Sequence, residues 1–147
     1  LSATLANATG NGAVVSPVIF DSESFDFASN YNAATGIFTA PFDGVYSFSA
    51  GVLVNSKTAA MVRADIALVT TTQTFLNTVS DTTSTIFPEQ NLQINVPAVY
   101  LKLGNTVKVS VAVYSGAGNT AGIFGAAGSP IYSYFSGTLV HEGPKSA

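Results

Sequence analysis

The feature that most constrains this chain is a run of aromatic residues from Phe20 to Ala50, FDSESFDFASNYNAATGIFTAPFDGVYSFSA. It reads as two short alternating strands, a turn and a longer strand. Gly36 to Ala40 predicts one strand, and Pro41-Phe42-Asp43-Gly44 a turn in which proline restricts the backbone and glycine frees it. From Val45 the chain returns with Tyr46, Phe48, Ala50, Val52 and Val54 on one side, because successive strand residues point to opposite faces. A row of that apolar weight needs a second sheet to cover it.

The rest of the chain repeats the pattern. Leu1 to Leu5 predicts a short strand, and Ala13 to Phe20 an extended stretch broken at Pro17. Met61 to Val69 places Val62, Ala64, Ile66 and Leu68 toward the core. Arg63 and Asp65 share the other face, where they can pair with each other or across a subunit boundary. Thr74 to Val79 suits a half-exposed strand, and Asp81 to Asn91 a loop. Leu92, Ile94 and Val96 share one parity, whereas Val99, Leu101 and Leu103 share the other, so a bulge is expected beside Pro97. Thr106 to Tyr114 turns Val107, Val109, Val111 and Val113 inward. Ser115 to Pro130, SGAGNTAGIFGAAGSP, reads as a Gly- and Ala-rich loop whose small residues let backbones approach closely. The last strand, Ile131 to Val140, is apolar on both faces, with Tyr132 and Tyr134 on one and Ile131, Phe135 and Leu139 on the other. No helix beyond a turn is expected. Many short strands between turn signals predict an all-β, two-sheet antiparallel sandwich.

At 147 residues the chain fits one domain that can bury a core without staples. We place that domain at residues 1–142, with a frayed tail at 143–147 and, since the chain starts inside a strand, as an excised unit. Hydrophobic residues make up 47% and charged ones only 9%, against about a quarter charged in a typical soluble domain. No apolar run approaches the roughly 20 residues of a membrane helix, so the excess is assigned to the core or to a contact with another subunit. A net charge of -3 with five basic residues speaks against nucleic acid and anionic membrane as partners. There are no cysteines for disulfides or thiolate metal sites.

The chain is poorly equipped for catalysis. Its one histidine, His141, stands near the C-terminal end, and any Ser-His-Asp arrangement would have to be built on it. Candidate acids for glycoside hydrolysis (Asp65, Asp81, Glu89 and the Asp21, Glu23, Asp26 trio) fall on loops or an outward face rather than across a cleft. The trio itself reads as a solvated loop in preference to a cation site. The Gly-rich stretch lacks the lysine and helix of a phosphate-binding loop. No catalytic residue, metal ligand or cofactor is assigned. Asn7-Ala8-Thr9 fits the glycosylation acceptor rule, a triplet common by chance.

Phe20, Asp26, Tyr31, Phe38, Gly44, Tyr46 and Phe48 stand at the spacings of the globular C1q heads of the C1q and tumour-necrosis-factor-like superfamily, which the chain resembles. Ala50 departs from the aromatic that closes the family run, and Phe135-Ser136-Gly137-Thr138-Leu139-Val140 is similar to the family's closing strand. The resemblance implies a jelly roll that assembles as a homotrimer, with Tyr132, Tyr134 and Phe135 expected near the threefold axis. It implies a non-enzymatic head on a fibre or collagen-like stalk, extracellular or surface-exposed, whose Thr, Ala and Gly bias looks more like a bacterial or phage fibre tip. Such a tip meets a surface glycan or protein through its apical loops, here Lys57, Phe87, Glu89, Asn119 and Phe124, at the end away from both termini. The alternative is a trimerisation module with no ligand of its own. Several family members hold calcium through loop aspartates. Asn119 to Ser133 has no acid and the earlier loop only Asp81 and Glu89, so that site is not expected here.

Overall fold

The computed structural model describes residues 3–5, 13–55, 63–80, 90–114, 121–125 and 131–144. Asn7, Lys57, Phe87, Glu89 and Asn119, named above, lie outside them.

All regular structure among the described residues is antiparallel strand: β1 (Ala3–Leu5), β2 (Ala13–Val15), β3 (Tyr31–Asn32), β4 (Ile37–Thr39), β5 (Gly44–Asn55), β6 (Arg63–Thr70), β7 (Thr74–Ser80), β8 (Gln90–Leu101), β9 (Thr106–Tyr114), β10 (Ala121–Phe124) and β11 (Tyr134–Glu142). They form two sheets, as the alternation predicted. In the first, β8 lies along one side of β5, while β11 and β10 follow one another along its other side and β1 adds to β10. In the second the order is β3-β4-β9-β6-β7, with β2 beside the far part of β9.

The core lies between the sheets. Tyr46, Phe48, Ala50, Val52 and Val54 of β5 are at most 2% exposed, as are Val107, Val109, Val111 and Val113 of β9 facing them. The bulge expected at Pro97 is present: Tyr46 pairs with Val99 and Phe48 with Val96, so three steps on β8 match two on β5. That extra residue resets the parity and keeps Val96, Val99 and Leu101 all inward.

Two expectations need correction. Ala121–Phe124, inside the supposed loop, is a strand that joins β1 to β5, and its Ile123 is 1% exposed. β8 starts at Gln90, within the stretch read as loop. The Gly143 N–H donates to the Asp43 carbonyl at 2.6 Å.

Candidate functional site

The seven aromatic-motif positions turn out to be structural. Phe38 meets Tyr46 and Phe48 edge-on at 5.9 and 5.3 Å, and Phe48 stacks on Phe135 at 5.9 Å. Phe135 also touches Phe20 and Tyr31, so one chain of ring contacts fills the sandwich. The Tyr46 hydroxyl donates to the Phe42 carbonyl at 2.8 Å, and the Asp26 carboxylate accepts from the Tyr31 N–H at 2.8 Å. Gly44 leaves room for β11, since a Cβ there would stand 2.6 Å from the His141 carbonyl oxygen. The motif therefore specifies the fold and leaves recognition to other surfaces.

On the outer face of the first sheet several apolar side chains remain uncovered. Phe124 of β10 and Tyr132 meet edge-to-face at 4.8 Å, 37% and 39% exposed. Tyr134 lies over Gly51, whose missing side chain makes the space: a Cβ there would be 2.5 Å from the tyrosine ring. Leu53, paired with Phe124, is 9% exposed on this same face. The break between β10 and β11 is bridged by Ser133, whose hydroxyl accepts from the Leu53 N–H at 3.1 Å and donates to the Phe124 carbonyl at 2.7 Å. Further along the same face Ser49 is bonded to Asn95 at 2.6 Å.

This placement sorts the expected site residues. Tyr132 and Tyr134 come together with Phe124, which belongs to the patch rather than to an apical loop. Phe135, expected with them near the threefold axis but on the opposite face of the strand, turns into the core, as the alternation of strand residues requires. Leu53 and Gly51 were not singled out from sequence. Only their register against Phe124 and Tyr134 reveals them.

Asn55, Arg63, Ser80, Gln90, Tyr114 and Ala121 gather at one end, through the pairs Arg63–Ser80, Arg63–Tyr114, Val54–Gln90 and Gly122–Asn55. These are the strand ends next to residues 56–62, 81–89 and 115–120, the segments that contain Lys57, Phe87, Glu89 and Asn119. At that end Arg63 clasps Asp65 through two hydrogen bonds of 2.7 and 2.8 Å and lies 5.1 Å from the Tyr114 ring centre. Thr78 donates a third to the same carboxylate. The bond within the subunit, one of the two options for this pair, is present.

Among the described residues no three His, Cys, Asp or Glu side chains converge as a metal site. The Asp26 carboxylate is taken up by its bond from the Tyr31 N–H. No helix among those residues is long and apolar enough to cross a membrane.

A family model described as the C1q domain matches residues 1–140. Among solved structures the chain is similar to the globular domain of zebrafish complement 1qA protein. That match has a TM-score of 0.58 and 22% identity, over 97% of this chain and 96% of that one, a likeness of fold. No curated protein matches.

Proposed function

The chain belongs to the C1q domain family, whose members are typically trimeric, ligand-binding, generally non-enzymatic and secreted or surface-exposed, and from that premise we propose that it is the trimeric head of a fibre or collagen-like stalk. One observation carries the trimer: the inner side of the first sheet is already filled, yet Phe124, Tyr132 and Tyr134 stand together on its outer side. An aromatic patch on a chain with so few charges suits a subunit contact. The ligand surface is placed at the end where residues 56–62, 81–89 and 115–120 join the sheets, with Lys57, Phe87, Glu89 and Asn119 as its contacts. Connecting segments on a rigid sandwich are where such domains carry recognition. The ligand class is a cell-surface glycan or protein.

Light scattering at micromolar concentration should return three times the 15.0 kDa chain mass; a monomer mass overturns the trimer. A glycan array and whole-cell binding then test recognition. Replacing Lys57 and Asn119 with alanine should abolish binding and leave the mass unchanged. A trimer that binds neither glycans nor cells would favour the alternative, a head that only assembles and registers the stalk.

A further inference from the structure

Two phenyl rings stand apart from every cluster described so far. Phe25 is 76% exposed and Phe27 98%, and the rings stack on each other with centres 5.8 Å apart. Their loop is fixed at its base. The Asp26 carboxylate accepts from the Tyr31 N–H, the Asp26 carbonyl accepts from the Ser29 N–H at 3.2 Å, and the Tyr31 hydroxyl accepts from the Phe20 N–H at 3.1 Å. Ser29 holds φ of 52°, a left-handed backbone that non-glycine residues adopt sparingly. The rings are thus held out from the surface by an ordered turn.

The residues flanking them in the chain are acidic. Exposed Glu23 and Asp21 precede them, and residues 1–56 contain no lysine, arginine or histidine. Both carboxylates bear on Tyr31: burial pushes its phenol up, the Phe20 hydrogen bond opposes this, and the charges of Glu23 and Asp21 add to the rise. A cation is the group such a surface recognises. Ring faces attract it through their quadrupole, and a guanidinium can stack on a ring while forking onto a carboxylate. The same acids disfavour an anionic membrane.

We propose that the loop from Asp21 to Asn30 is a docking surface for an arginine-bearing segment of a partner protein, with the Phe25–Phe27 pair as its stacking platform and Glu23 as its carboxylate.

The test is fluorescence anisotropy of a labelled acetyl-(Arg-Gly)4-amide peptide titrated with the full chain at low salt. Saturable binding is expected, weakened at least fivefold in Phe25→Ser/Phe27→Ser and again in Glu23→Gln. Both rings are so exposed that the melting temperature should stay put, and circular dichroism on the same samples checks this. The lysine version of the peptide should bind more weakly, because it lacks the planar fork. Absence of saturable binding overturns the proposal. So does binding that survives loss of the rings, which would mean diffuse charge attraction. A changed oligomer mass in the double variant would identify the pair as a contact between copies and would equally overturn it.

Discussion

At position 65 a carboxylate sits on the outer face of a strand flanked by neighbours on both sides, 5% exposed. Burial pushes its pKa up, but the hydrogen bonds from Arg63 and Thr78 and the arginine's charge outweigh that and hold it below the usual 3.8. A depressed folded-state value means that the stability is present above 3.8 and is lost as pH falls through the folded value. Arg63 is 45% exposed, so solvent screens part of the attraction. The larger share comes from the buried oxygens keeping their donors. Asp65→Ala should cost about 1–3 kcal/mol at neutral pH, and denaturant titrations should show the deficit narrowing below pH 3.8. A deficit that stays constant into strong acid would mean the loss is one of packing. Gly137 tests the core in the same way. A Cβ there would fall 2.6 Å from the Phe48 ring, which is wedged between Phe38 and Phe135. Gly137→Ala should therefore destabilise by about 1–3 kcal/mol through overpacking, read as a lowered denaturation midpoint.

Among the elements, β10 separates core from surface within two adjacent residues. Ile123 faces inward at 1% exposed and Phe124 outward at 37%. Ile123→Ala should lower unfolding stability by about 2–4 kcal/mol, the range for a deep aliphatic truncation. Phe124→Ser should change monomer stability by less than about 1 kcal/mol yet shift sedimentation profiles toward monomer. If both variants unfold alike and associate alike, the two faces of β10 have been misassigned. The strand was missed in the sequence because Ala121-Gly122-Ile123-Phe124 is too short to show a period, and its neighbours are the small residues that mark loops. The bulge in β8 was read correctly, since a parity slip beside a proline has few explanations other than a bulge.

For the whole molecule, the two proposed contacts should respond to salt in opposite ways. Subunit association through Phe124, Tyr132 and Tyr134 rests on apolar area, so the mass should hold as ionic strength rises to about 1 M. Peptide binding at Glu23 should fade over the same range, because at about 1 M the Debye length is near 3 Å. Light scattering and anisotropy in one salt series check both. A trimer that falls apart with salt would point to the few charged residues as its glue and away from the aromatic patch.

Alternation along single strands was enough to determine the two-sheet class, the inward rows of β5 and β9 and the bulge at Pro97, while the motif residues carried the resemblance to the family. Each of those follows from residue parity within one segment, or from the spacing of aromatics that meet inside the core. The sequence also showed that the last strand is apolar on both sides, but which of those sides was already covered depended on its neighbours. Only the tertiary structure settled that. Pairing Phe135 with Ala50 and Tyr134 with Gly51 sends the phenylalanine into the sandwich and lays the tyrosine across bare backbone on the outer face. Register between strands far apart in sequence is a property of the assembled sheet, as is the exposure of Phe25 and Phe27. Read along the chain, those two look like any other alternating pair, and only the turn anchored by Asp26 and Tyr31 lifts them off the core.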